Sequence, residues 1–246
     1  KKSWVNRNNS ANLTNYQNSL SSSFIDKAVC LPIPPYQTFD DLKFVSELTN
    51  NTIAFTWVDF SKKLDFDALE KQFESDVKSW AKWLKIHPIL QWISPEDKDL
   101  DQIVKLFSKY DLPIIFHTWV TEYSTRKNKN LTHRPEFWEI KRFIEISKNN
   151  PEAKIVIWHS GLFQVDEVMT YLSKYPNVMV DTSFQSKQKI LELLNSFWEE
   201  RLMFASDWPY WDRIPAVNVM HEAVWNNQNL FEKIMKINAL KVMNLI

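Results

Sequence analysis

A single glycine, Gly161, serves all 246 residues of this chain, where ordinary usage of about 7% would supply many more. Asn and Asp are therefore the expected occupants of left-handed turn and helix-end positions, and Gly161 is a residue whose location should have a reason. Cysteine is as scarce. Cys30 alone cannot form an internal disulfide, which suits a reducing cytoplasm. Neither sign of charge is in excess: 30 acidic and 30 basic residues leave no overall field to recruit nucleic acid or an anionic membrane. A small-molecule partner is expected instead. No stretch approaches the roughly 18 uninterrupted apolar residues of a membrane span, and Lys1-Lys2-Ser3-Trp4 is not followed by a signal-peptide core. The chain reads as soluble.

What is present is an alternation. Short runs rich in Ile, Val and Phe occur at 26–32, 52–58, 84–89, 113–119, 154–159, 177–181 and 201–205, and their length and composition predict buried parallel strands. Between them, apolar residues fall at helical spacing, as in Leu69, Phe73, Val77 and Trp80, or Phe137, Ile140, Phe143 and Ile144. Asp40-Asp41, Asp101 and Pro135-Glu136 mark helix starts. Strict strand–helix alternation over about 250 residues predicts an α/β fold of the (β/α)8 TIM-barrel type. Residues 1–22, dominated by Asn, Ser and Lys, read as a polar loop or frayed N-terminal segment, although Leu13–Ser23 has a helix-like pattern. Residues 23–246 read as a single α/β barrel domain. Seven strands are counted where a closed barrel has eight, so the natural chain is expected to carry its first strand upstream of Lys1.

Chemistry gathers at strand ends. His87, His117 and His159 close three of the runs, and Ser206-Asp207 follows a fourth. A βα barrel brings the C-terminal ends of its strands to one face, so these residues can converge on one substrate. Side chains two apart share a face, which pairs Lys85 with His87 and points both inward. Lys85 could hold a substrate carboxylate or serve as an ion-pair partner. Of the twelve tryptophans, Trp119, Trp208 and Trp211 flank the strand ends and could line a pocket for a planar or apolar substrate. His133, at a helix start, reads as a cap or loop contact, and His221, mid-helix, as structural. Arg134 and Arg213 are candidate anion clamps, with ordinary solvent-exposed arginines the favoured reading. Gly161, directly beyond His159-Ser160, marks a tight loop.

The runs Lys85-Ile86-His87-Pro88, Ile115-Phe116-His117-Thr118, Ile157-Trp158-His159-Ser160-Gly161, Asn177–Ser183 and Phe204–Pro209 resemble, in order, the strand-end motifs of the amidohydrolase-related family. This is the branch of the amidohydrolase superfamily that includes aminocarboxymuconate semialdehyde decarboxylase. The likeness covers about residues 20–246. It implies a distorted (β/α)8 barrel with one divalent metal, usually zinc, held by a His-x-His pair on the first strand, a histidine on the fifth and an aspartate on the eighth. Carried over, the metal ligands are His117 and Asp207, with His159 the catalytic histidine or a further ligand and Asp207 also catalytic through the metal's water; the substrate-binding candidates Lys85, His87, Trp119 and Trp208 come from the residues' own placement. No two histidines here stand two apart, so the His-x-His pair has no counterpart. A catalytic zinc normally takes three protein ligands plus water. Either the segment lies upstream or this is a metal-free relative.

Where such an ion is bound, its water reaches a pKa of about 7 and becomes a nucleophile at neutral pH. His159 suits polarisation of a carbonyl or proton transfer to a leaving group. The resemblance implies first a metal-dependent hydrolase acting on a small lactone, ester or amide. The alternatives are a non-oxidative decarboxylase on the same scaffold and a catalytically inactive barrel that binds a ligand. Relatives are often dimers, which leaves a homodimer open.

Overall fold

The computed structural model describes residues 12–31, 37–119 and 135–246. All strands lie inside the expected runs and pair in parallel. β1 (Ala28–Cys30) pairs with β2 (Thr52–Ala54). β3 (Thr56–Trp57), β4 (Leu84–Ile86), β5 (Ile114–Phe116), β6 (Ile155–Ile157), β7 (Val178–Asp181) and β8 (Leu202–Met203) form a six-stranded sheet in chain order. Only Phe55 separates β2 from β3. The amides of Lys82 and Thr56 bond across this point to the carbonyls of Ala54 (3.2 Å) and Trp83 (3.0 Å). The run 52–58 is thus one stave with a kink, and the described staves number seven, as the sequence predicts. β1 and β8 are the two edges.

Register and burial show how the staves are faced. Leu84, Ile86, Ile114, Phe116, Ile155, Ile157, Val178 and Val180 belong to the cluster that also holds the helix residues Leu100, Ile103, Val104 and Phe107. These residues face outward, toward the crossover helices. The intervening residues Lys85, Ile115, Val156 and Met179 are aligned across β4–β7 and form one layer of the barrel interior. Two residues further along come His87, His117, Trp158 and Asp181. The next interior layer toward the C-terminal mouth is therefore polar and aromatic.

The helices follow from caps and apolar spacing. α1 (Leu13–Ser22) begins where the Asn12 side chain accepts the Asn15 amide at 2.9 Å, and it buries Tyr16 and Leu20, four apart. The reading of 1–22 as a polar loop or frayed segment is corrected over 13–22: two buried positions and one cap suffice to dock a helix that is otherwise polar. α2 (Phe39–Thr49) opens with a reciprocal Thr38/Asp41 capping box and closes on Asn50 in the left-handed region. α3 (Phe66–Lys78) buries Leu69 and Phe73, whereas Trp80 lies beyond its end at 69% exposure. α4 (Lys98–Ser108) buries Leu100, Ile103, Val104 and Phe107, spaced i, i+3, i+4, i+7. Each of those side chains contributes about 1.5–3 kcal/mol by leaving water.

Around residue 140 the expected helix is broken into two 3-10 turns, Pro135–Trp138 and Ile140–Arg142, before α5 (Phe143–Asn149). At the second turn the Ile140 amide bonds to the Gln164 side chain at 3.0 Å instead of to its own helix. α6 (Val165–Leu172), α7 (Lys187–Phe197) and α8 (Arg213–Val224) complete the outer layer used below. Among the described residues, no helix is long and apolar enough to cross a membrane.

The glycine shortage is met only partly as predicted. Asn50, Asp111, Asp207 and Asn244 occupy left-handed positions, but so do Phe24, Trp80, Trp92, Phe184 and Trp198. Aromatic residues here take backbone conformations that the side-chain rule assigns to smaller ones.

Candidate active site

Lys85 is at the centre of the interior. Its side chain is wholly buried, and its Nζ lies 3.3 Å above the Trp158 ring without a hydrogen-bond partner among the described residues. Burial drives its pKa well below the usual lysine value, opposed by the charges of Asp207 and Asp181. Those opposing charges place Lys85 within electrostatic reach of both carboxylates. The same lysine depresses the pKa of His87, His117 and His159, in each case after burial or burial and a neighbouring imidazole.

His87 ends its strand and caps the one-turn helix Pro88–Gln91. Its Nδ1 accepts the Leu90 amide at 3.3 Å, and its own amide donates to Gln91 Oε1, whose amide nitrogen reaches the Val58 carbonyl at 2.7 Å. An accepting Nδ1 leaves the neutral ring's proton on Nε2. That Nε2 is buried and unpartnered. His117 stacks on His87, with ring centroids 3.9 Å apart and planes 14° from parallel, and neither of its ring nitrogens has a partner. Thr118 donates to the Trp158 carbonyl and ties β5 to the loop beyond β6.

That loop is unusual. His159, Ser160, Gly161 and Leu162 all have positive φ, at 60°, 47°, 76° and 47°. A Cβ on Gly161 would lie 2.7 Å from Val168 Cγ2 and 3.2 Å from Ile140 Cδ1, so both the backbone and the close packing of α6 require glycine here. Asp181, at the end of β7, holds the loop in place. Its Oδ2 accepts the His159 amide at 2.8 Å, its Oδ1 accepts the Ser183 amide at 2.8 Å and the Ser183 hydroxyl, and its carbonyl accepts the Ser160 hydroxyl. Gln185 donates to the His159 carbonyl at 2.8 Å. The His159 ring meets Ser183 Oγ through Nδ1 at 2.8 Å. Burial raises the Asp181 carboxyl to about 6, with the bonds from Ser183 pulling the other way.

Aromatic rings wall this chamber. His159 is edge-on to His117 (5.2 Å) and to Trp119 (5.9 Å), stacks on Trp158 (4.5 Å), and lies 5.3 Å from Phe184, which in turn stacks on Trp211 (5.5 Å). Asp207, at φ 59°, turns the chain after β8. Enclosure of its carboxyl raises its pKa well above the usual range even though the residue as a whole keeps some solvent contact.

The structure thus gathers Lys85, His87, His117 and His159, couples Asp207 to them through Lys85, and sets Trp119 beside His159. Trp208 faces elsewhere, its ring against Tyr16 (5.7 Å) and the Arg213 guanidinium (4.9 Å). Arg213 is corrected from an ordinary exposed arginine: it is buried between Tyr16 and Trp208 and donates to Ser19 Oγ at 2.8 Å. His221 is exposed on α8, near Trp225 and Phe231. His133 and Arg134 lie outside the described residues. The sequence reading gave no role to Trp158 beneath Lys85 or to the Asp181–Ser183 pair. Asp181 stands two residues beyond Met179, so strand alternation carried a signal for it.

No three His, Cys, Asp or Glu side chains among the described residues are grouped to hold a metal ion. His117 and Asp207 by themselves fall short of the three protein ligands that a catalytic zinc normally takes.

A family model described as Amidohydrolase matches residues 64–245. No curated protein matches the sequence. Solved structures do. An uncharacterised TIM-barrel protein from Bordetella bronchiseptica is 13% identical with a TM-score of 0.75, the alignment covering 95% of this chain and 83% of the other. The 5-carboxyvanillate decarboxylase of Sphingomonas paucimobilis is 13% identical with a TM-score of 0.73 over 95% and 83%. A dihydroxybenzoic acid decarboxylase from Polaromonas sp. JS666, with bound manganese and the inhibitor 2-nitroresorcinol, is 14% identical with a TM-score of 0.74 over 95% and 86%. At such identities the likeness is one of fold, and the fold is the TIM barrel.

Proposed function

Since this chain belongs to the amidohydrolase family, a family of enzymes, we propose that it catalyses loss of carbon dioxide from a small hydroxylated aromatic acid. The hydrolysis of a lactone, ester or amide, placed first from sequence, is the less supported of the two reactions. The relatives above whose names carry an activity are decarboxylases, and the site chemistry suits the same class.

One observation carries the reading. Lys85 Nζ, His87 Nε2 and both ring nitrogens of His117 are buried in one place without partners. Buried polar groups almost always have a partner, and each one left without costs about 1–3 kcal/mol. An acid anion there can accept from the donors, Lys85 Nζ, His87 Nε2 and the one protonated nitrogen of His117, while the other His117 nitrogen is an acceptor that a substrate hydroxyl can meet. The rings of Trp119, Trp158, Phe184 and Trp211 add flat apolar walls for a planar body.

In this reading Lys85 and His87 bind the carboxylate and deny it water. His159 takes the proton of the substrate hydroxyl, and Asp207, whose carboxyl burial holds well above its usual pKa, is the proton donor. Decarboxylation then needs a proton delivered to the ring carbon that bears the carboxylate, followed by cleavage of the carbon–carbon bond, with its electron pair restoring the aromatic ring. Trp119 flanks the ring, while Trp208 acts at a distance by packing on Arg213. Zinc or another divalent ion would find two ligands in His117 and Asp207 and would supply Lewis acidity toward a substrate oxygen. The described donors supply part of that site, and the proton steps are assigned to the side chains. The single cysteine suits a reducing, cytoplasmic setting.

The test is turnover of a panel of hydroxybenzoic acids in deuterated buffer, followed by proton NMR. The expected result is release of carbon dioxide and deuterium at the vacated ring position. Opening of lactones or esters with no acid decarboxylated would overturn it.

A further inference from the structure

We infer that Ser183 and Asp181 are positioning residues that fix the proton of His159 on Nδ1 and keep its Nε2 bare as an acceptor in the chamber. The assignment follows from counting protons along the bonds. Asp181 receives three: the amides of His159 and Ser183 and the Ser183 hydroxyl, which lies 2.5 Å from Oδ1. A hydroxyl has one proton to give. With that proton committed to Asp181, Ser183 Oγ can only accept from His159 Nδ1, 2.8 Å away. The imidazole must then hold its proton at Nδ1. Both oxygens of Asp181 are taken up as acceptors by these three donors, so it stands as a carboxylate and the direction of the relay is set.

The opposite arrangement holds across the chamber. Leu90 donates its amide to His87 Nδ1, which puts that ring's proton on Nε2. The cluster therefore presents one imidazole as a donor and another as an acceptor, each imposed by backbone and side-chain groups outside the chamber. Ser183 is 0% and Asp181 3% exposed, so water does not compete for these bonds. The relay deepens the proposed function, because a bare Nε2 is what His159 needs in order to take a proton from a substrate; the tautomer itself rests on geometry alone.

Long-range proton–nitrogen NMR of the free protein at pH 7.5 reads the tautomer directly, with each of the five histidines assigned by substitution. The expected pattern for His159 is a protonated-type Nδ1 and a bare-type Nε2, with the reverse for His87. Ser183→Ala should abolish the His159 preference or move the proton to Nε2 while leaving the His87 signals in place, which also reports an intact fold. Ser183→Thr keeps a hydroxyl and should restore the wild-type pattern. With an active substrate in hand, Ser183→Ala should lower kcat about 10-fold or more with KM little changed. Wild-type His159 protonated at Nε2, or a Ser183→Ala spectrum identical to wild type, would overturn the inference. A protein that turns over no aromatic acid but shows the expected nitrogens would defeat the proposed function and leave this one standing.

Discussion

The two sides of the chamber are built from the same residue types and treat them in opposite ways. At the ends of β6 and β7, Asp181, Ser183, Ser160 and the His159 backbone satisfy one another through short bonds. At the ends of β4 and β5, Lys85, His87 and His117 leave four buried nitrogen atoms without partners. The first side is a scaffold whose polar groups are matched within the chain. The second has no such match among the described residues, and it is the side the proposed function assigns to the substrate.

Paired substitutions sharpen the contrast, and they carry the largest effects. Asp181→Ala strands three buried donors and should lower the free energy of unfolding by about 3 kcal/mol or more. Lys85→Met removes an unpartnered buried amine and should leave stability unchanged or raised by about 1 kcal/mol, while turnover of the aromatic acid falls to background. Urea unfolding of both variants makes the check. If Lys85→Met proves as damaging as Asp181→Ala, the amine has a structural partner and the two sides are alike.

The pH dependence of stability comes next. Asp181, at about 6 in the fold against about 3.9 unfolded, binds its proton more tightly when folded. Its contribution to stability is full below about pH 4 and is lost as pH rises through about 6, a change on the order of 2–3 kcal/mol. The histidines act in the reverse sense. Their folded pKa values lie below the unfolded one, so they favour the fold above about pH 6.5 and cost stability as pH falls. The difference between wild type and Asp181→Asn across pH 4–7 isolates the carboxyl, and a variant whose profile parallels wild type would contradict the raised pKa.

Gly161→Ala tests how rigidly the saturated side is held. The added Cβ meets Val168 at 2.7 Å with the backbone at φ +76°, and a loss of about 1–3 kcal/mol is expected, accompanied by altered His159 resonances. The smallest effect belongs to a pair outside the comparison altogether. Glu74→Ala breaks the exposed Lys78–Glu74 contact on α3, and no measurable change in the unfolding midpoint is expected.

Some of this could be read before any coordinates. The strand runs are legible because a buried parallel strand writes its burial into consecutive residues, and the inward direction of Lys85 and His87 because alternation is a local rule. α1 is poorly legible for the converse reason: a helix held by Tyr16, Leu20 and one cap has almost no periodic signal, and it is tied down by Arg213, 194 residues from its partner Ser19. Trp208 is next to Asp207 in sequence, which suggests a substrate contact, yet the turn at Asp207 sends the indole toward α1. Adjacency along the chain says little about direction once φ becomes positive.

By itself, then, the sequence determined the parallel α/β barrel, the order of its staves and the chemical types standing at their ends, because those follow from hydrophobic spacing within a dozen residues. Only the tertiary structure decided which of those groups are satisfied. Whether an imidazole donates or accepts depends on partners such as Ser183, which lies 24 residues beyond His159, and the dryness around Lys85 on an indole from a different strand end. Hydrogen bonds and desolvation are set by neighbours in space, and those are brought together by the folded barrel.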